Sequence, residues 1–198
     1  FLQDKLGTAV FASGVTIVDD PLRKRGLRSR PFDGEGVRVA RQCLVEAGIL
    51  SSWIAESASA RQLGIEPTGH AARGAGGAPG ASPSNLYIAD GTRSREQLLA
   101  AFPQALLVTE LIGHGINGVT GDYSRGAAGF LVTGGEIGPP VSEITISGTL
   151  QEMLAAVSIR FTPNGVTKTA MISTMSTVPK IAGKMPQMMY WRSPKPHS

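Results

Sequence analysis

Side chains capable of metal or nucleophile chemistry are few and scattered. The chain has three histidines, His70, His114 and His197, and one cysteine, Cys43. A helical zinc site takes two histidines at i and i+4 with a general base beside them, and no pair here has that spacing. Each therefore reads as a loop histidine held by hydrogen bonds. A serine nucleophile could be Ser124 near Asp122 and His114, but Gly121-Asp122-Tyr123-Ser124-Arg125-Gly126 lacks the Gly-x-Ser-x-Gly elbow. Cys43 falls within a β-prone run, where a small buried residue is the ordinary explanation.

Two glycine-rich stretches, 69–84 and 113–129, could offer backbone amides to an anion. Neither contains Gly-x-x-x-x-Gly-Lys-Ser/Thr, and Gly165-Val166-Thr167-Lys168-Thr169 matches only the end of that pattern. Bare backbone suited to contact with another extended chain or subunit is the better reading. Arg23, Lys24, Arg25, Arg28 and Arg30 form a basic cluster flanked by Asp19, Asp20, Asp33 and Glu35. Local ion pairs are expected to neutralise it, and without interleaved aromatic residues it disfavours nucleic acid.

The elements that must position these residues are mostly strands. Ile17 and Val18 begin one that Asp19-Asp20-Pro21 stops. The runs 37–45 and 49–54 form a hairpin about Glu46-Ala47-Gly48. Residues 57–63 read as a short helix closed by Gly64, whereas the stretch 69–84 is too glycine-rich for regular structure of its own. Ser94-x-x-Gln97 and Thr149-x-x-Glu152 have capping-box spacing. Between these helices lie a strand at 106–111, a long loop over 113–129, a hairpin about Gly134-Gly135 and a strand at 141–147. The expected class is α+β, mainly antiparallel sheet with hairpins, short helices and long glycine-rich loops.

Composition divides the 198 residues unevenly. All 15 acidic residues lie between Asp4 and Glu152, while residues 158–198 hold six Lys or Arg, five of the six Met and two of the 25 Gly. Residues 1–157 thus carry 13 bases against 15 acids, and the net charge of +4 resides in the tail. This break marks a boundary: an ordered domain over 1–157, then a divergent basic tail expected to be disordered or frame-shifted. No apolar run approaches the roughly 20 residues needed for a membrane helix. A single cysteine fits a reducing cytoplasm, and a start at Phe1 suggests a piece of a longer protein.

The segment from Thr109 through Gly113-His114-Gly115-Ile116-Asn117-Gly118-Val119-Thr120-Gly121-Asp122-Tyr123-Ser124-Arg125-Gly126 to Phe130 resembles the C-terminal region of the TldD/PmbA family. Asp19-Asp20-Pro21, Gly26-Leu27-Arg28-Ser29-Arg30-Pro31-Phe32-Asp33-Gly34-Glu35-Gly36, Thr68-Gly69-His70-Ala71 and Pro140-Val141-Ser142-Glu143-Ile144 fall in the family's order. The wording is that of the PmbA branch, also called TldE. The resemblance covers 1–157 and implies a non-catalytic subunit of a cytoplasmic TldD–TldE-type zinc metalloprotease. In such a complex the TldD-type partner holds zinc on a His-Glu-x-x-x-His helix, a motif missing here. It implies a TldD-type subunit and an extended peptide substrate as partners, no cofactor in this chain and no membrane. His70, Arg73, His114, Asn117, Asp122, Tyr123 and Arg125 become the candidate peptide or subunit contacts. Two alternatives stand beside this reading: a peptidase using His70 or His114 as ligand or base, and a binding module whose basic tail contacts nucleic acid or an anionic surface.

Overall fold

The apolar run before Asp20 forms β1 (Ile17–Asp19) in the computed structural model, which describes residues 3–159, 170–172 and 189–191. The chain divides into two compact units, Phe1–Ala9 with Thr16–Ala89 and Val10–Val15 with Asp90–Ser198.

In the first unit β1 pairs antiparallel with β2 (Gln42–Glu46), which turns back into β3 (Ile49–Leu50). The predicted hairpin is present but shorter than its β-prone runs. Its two turn residues, Ala47 and Gly48, take φ of 48° and 84°, the left-handed pair that matches strand twist. The helix α1 (Ser57–Leu63) begins at Glu56, whose carboxylate accepts the Ser59 amide at 2.9 Å, and ends at left-handed Gly64, as its sequence predicts. Hydrogen bonds from the Ser59 hydroxyl and amide hold the Glu56 carboxyl below its ordinary range.

The stretch 69–84 corrects the expectation of an irregular loop. It contains a two-stranded ribbon, β4 (Ala71–Ala72) with β5 (Gly80–Ala81), held by carboxylates from elsewhere in the unit. β6 (Leu86–Ile88) then returns to β1, giving the order β3-β2-β1-β6. Val18, Val45 and Leu50 are buried in this sheet.

The second unit is built on a meander. α2 (Arg95–Leu99) carries the complete capping box: Ser94 Oγ accepts the Gln97 amide at 3.2 Å and Gln97 Oε1 accepts the Ser94 amide at 2.8 Å. β7 (Gln104–Ile112), β8 (Asp122–Thr133) and β9 (Glu136–Thr149) follow as consecutive antiparallel neighbours. The β8–β9 turn uses Gly134 and Gly135 at φ 60° and 89°. β9 runs straight through Pro139-Pro140, which the sequence reading placed before the strand. A sheet edge tolerates proline because its outward amide has no ladder partner to lose.

The alternation along β7 gives each face its own core. Ala105 and Leu107 pack with Leu98, Leu99 and Val132 beneath α2. Leu106 and Val108 pack with Ala127, Ile144, Ile146 and Met153, the last from α3 (Leu150–Ala155). Burial of each large side chain is worth roughly 1.5–3 kcal/mol, so the two layers fix the strand register.

Three strands from the basic tail extend this sheet, a feature missed at the sequence level. β10 (Val157–Ile159), β11 (Ala170–Ile172) and β12 (Met189–Trp191) complete the order β10-β11-β12-β7-β8-β9, with β12 parallel to β7. The expectation of disorder over 158–198 otherwise falls outside the described residues. The α+β class, mainly antiparallel, holds.

Candidate functional site

A buried polar network organises the first unit. Asp19, fully buried at the end of β1, accepts from the Ser84 amide at 2.9 Å and the Ser84 hydroxyl at 2.6 Å. Its Oδ2 also lies 3.0 Å from His70 Nε2, the donor to this acceptor-only carboxylate. His70 Nδ1 faces Thr68 Oγ1 at 2.8 Å; that hydroxyl accepts the Ala55 amide, and its one proton is shared between Nδ1 and the Ala55 carbonyl 3.0 Å away. His70 is 2% exposed. The structure thus gives this predicted contact residue no surface of its own, and both ring nitrogens are committed to protein partners. Arg73, just past β4, is exposed.

A second carboxylate clamps the same segment. Asp33 accepts the Glu35 and Val37 amides, each at 2.9 Å, and reaches across to the Ala71 amide at 3.0 Å. The Gly34 amide donates to the Ala71 carbonyl at 2.8 Å, where a Cβ at position 34 would crowd the Ala71 carbonyl and the Arg73 amide. Burial alone would raise the Asp33 carboxyl; the three backbone donors and nearby Arg30 outweigh it and hold it below the ordinary 3.8. A carboxyl lowered by folding contributes stability that is complete above the unfolded value and is lost as pH falls through the folded one. Asp33→Asn is therefore expected to lower stability near neutral pH, with the gap from the parent closing below about pH 4. Urea denaturation at a series of pH values checks this, and a gap independent of pH would show that the carboxylate charge is irrelevant.

In the second unit the structure brings Asn117, Asp122, Tyr123 and Arg125 together around the connection between β7 and β8. Asp122, Tyr123 and Arg125 lie on β8, not in a loop as their glycine neighbours suggested. The true loop, 113–121, folds back on the start of that strand. Asn117 exchanges backbone bonds with Asp122 and Gly121 at 2.9 and 2.8 Å, and Ser124 donates to Gly115 at 2.7 Å. Asn117 Oδ1 also accepts the Val119 and Thr120 amides. Thr120 donates to Asp122 Oδ2 at 2.5 Å, and Arg125 Nη2 donates to the Leu111 carbonyl at 3.3 Å. Tyr123 is half-buried against the Met153 layer, while His114 stands on the exposed part of the loop.

Chain reversal leaves three large apolar side chains outside. Ile112 is 57% exposed, Ile116 58% and Val119 83%. Sequence reading passed over them because it attended to polar residues; the signal was apolar residues among turn-forming glycines and Asn. It also passed over Asp19 and Ser84, whose pairing with His70 depends on chain separation that no local pattern encodes.

Among the described residues no three His, Cys, Asp or Glu side chains converge as a metal site. Among the described residues, His70 is engaged at both ring nitrogens and His114 stands on an exposed loop. The loop 113–121 is held in shape by its backbone bonds to β8 and exposes apolar side chains.

Comparison places this arrangement in a family. The chain belongs to the PmbA/TldD metallopeptidases: residues 1–181 match the family described as the PmbA/TldA metallopeptidase C-terminal domain, a match that continues past Val157. It is 48% identical over 153 residues to Metalloprotease PmbA of Escherichia coli O157:H7, covering 77% of this chain and 32% of that protein. Against the Metalloprotease PmbA homolog of Haemophilus influenzae the identity is 45% over 154 residues, covering 78% and 32%. The crystal structure of TldE from Thermococcus kodakarensis shares the fold with a TM-score of 0.71 at 22% identity, covering 96% of this chain and 40% of that one. The chain spans about a third of the length of the curated relatives it matches. No helix among the described residues is long and apolar enough to cross a membrane.

Proposed function

We propose that this chain acts as the C-terminal domain of a PmbA/TldE-type subunit that pairs with a TldD-type zinc metalloprotease in the cytoplasm and helps enclose an extended peptide. Zinc and the hydrolytic step belong to the TldD-type partner in this reading; this chain contributes positioning. The observation that carries it is the loop 113–121, whose backbone bonds to β8 hold Ile116 and Val119 in water beside His114 and Asn117. An ordered apolar surface of this kind suits a protein interface, since its binding geometry exists before the partner arrives. His70 acts from within, holding the ribbon that presents Arg73.

Co-expression with a TldD-type subunit, followed by size-exclusion chromatography with light scattering, tests the reading. A mixed complex is expected, and Val119→Asp is expected to weaken it about tenfold or more by placing a charge in the contact. Separate elution of two folded chains would overturn it.

A further inference from the structure

The four acids flanking the basic cluster are engaged mainly by groups other than its cations. Asp19 is taken by His70 and Ser84, Asp33 by three backbone amides, and Glu35 accepts the Ser57 amide and hydroxyl at 2.9 and 2.7 Å. Asp20 Oδ1 accepts the Leu22 amide at 3.1 Å. Among the described residues, neither the cluster Arg23, Lys24, Arg25, Arg28 and Arg30 nor Arg38 beside it has a carboxylate within 4.0 Å, which corrects the expected ion pairs, although Arg30 is near enough to Asp33 to lower its carboxyl. Nor can acidic side chains elsewhere in the chain supply them, because the residues outside the description contain no Asp or Glu.

The same loop places apolar groups in water. Leu27 is fully exposed, and Leu22 and Phe32 are each 57% exposed. The loop nevertheless has a defined shape. Asn85 receives the Arg28 amide at 3.1 Å and donates to the Asp20 carbonyl at 2.8 Å and to Ser29 at 2.9 Å, while Phe32 bridges to Arg38. A Cβ at Gly26 would lie 2.6 Å from Asn85, so chain and staple meet closely there. Arg23 sits 5.0 Å from the centre of the Tyr87 ring, a cation–π contact that fixes its position without using its charge on a carboxylate.

We propose that the loop 20–38 is a docking surface for an acidic, partly apolar segment of a protein partner. Charge complementarity and side-chain type carry this choice. Four of the five exposed cations are arginine, whose planar fork pairs with carboxylates and which is enriched at protein interfaces where lysine is depleted. Three isolated aliphatic or aromatic groups between them fit pockets or ridges of a folded segment. Nucleic acid would call for several stacking surfaces interleaved with the cations; here the Tyr87 ring is covered by Arg23, and Phe32 alone stands exposed on the loop. This surface lies in the first unit and is independent of the loop 113–121 invoked for subunit pairing.

The test uses the full chain and a fluorescein-labelled peptide alternating glutamate with leucine, titrated by anisotropy at low and high salt. Binding is expected, weakening as salt rises. The double variant Lys24→Glu/Arg38→Glu, at two exposed positions, is expected to weaken it about tenfold, and Leu27→Ser about threefold. The loop variants separate this surface from the basic tail, which both leave intact. Circular dichroism of each variant distinguishes lost binding from lost fold, and Lys24→Gln provides a milder change of charge if the double variant does not fold. Absence of binding, or affinity indifferent to the folded loop variants, would overturn the proposal. Tighter, loop-dependent binding of duplex DNA, or of phosphatidylserine vesicles, would likewise overturn it in favour of that class of ligand.

Discussion

Asp19→Ala is expected to destabilise the first unit by about 3–5 kcal/mol, because three buried donors lose their acceptor at about 1–3 kcal/mol each. The carboxylate accepts three hydrogen bonds in a site closed to water, from Ser84 twice and from His70. Alanine would leave the Ser84 amide, the Ser84 hydroxyl and His70 Nε2 without an acceptor, and would open space where the carboxylate stood. Against a typical domain stability of about 5–15 kcal/mol this is a large fraction. His70→Ala should also be severe, and the double variant should cost less than the two singles together by about 1 kcal/mol or more, because each single variant already breaks the shared bond. Urea denaturation gives the energies, and hydrogen exchange over 68–84 shows whether the loss is centred on the ribbon. Additive effects, or a loss below 1 kcal/mol for Asp19→Ala, would mean that the network is not a coupled support.

How much of this was legible beforehand depended on the range of the interaction. α1, both hairpins and the α2 capping box could be read because each is specified within a few residues: Gly64 closes a helix, Ala47-Gly48 and Gly134-Gly135 accept positive φ, and Ser94 reaches Gln97 three positions on. The β4–β5 ribbon could not, since its support comes from Asp33 and Asp19, 38 and 65 positions from Ala71 and Ser84 respectively. The acids around the basic loop were misread for a related reason. Nearness in sequence suggested ion pairs, but backbone amides inside the fold hold these carboxylates in fixed geometry, which exposed side-chain pairs do poorly. Of the candidate site, the segment 114–125 was located by residue-level resemblance, while the division between loop and strand needed the register of β8 against β7. Glycine content had argued for a loop throughout.

That register makes Gly129→Ala the other change of large expected effect. Gly129 sits opposite Val108, beside the bulge at Thr109, where β7 and β8 approach closely. A Cβ built there would overlap the Leu107 carbonyl oxygen and lie 3.0 Å from the Val108 Cα. Both obstacles are backbone in the middle of the sheet, so no side-chain rotation can relieve them; the strands must separate. Because Leu107 and Val108 belong to opposite core layers, separation would disturb both. The expected loss is about 3 kcal/mol or more, at the upper end for overpacking. Gly118→Ala is the control: it lies in the same glycine-rich stretch, has no left-handed φ, and a Cβ there would meet nothing within 4 Å. It should change stability by less than about 0.5 kcal/mol. Thermal denaturation of the two variants decides the matter. If they behaved alike, the glycines would reflect a general need for flexibility; a large difference identifies Gly129 as the place where close strand approach sets the shape from which the loop 113–121 projects.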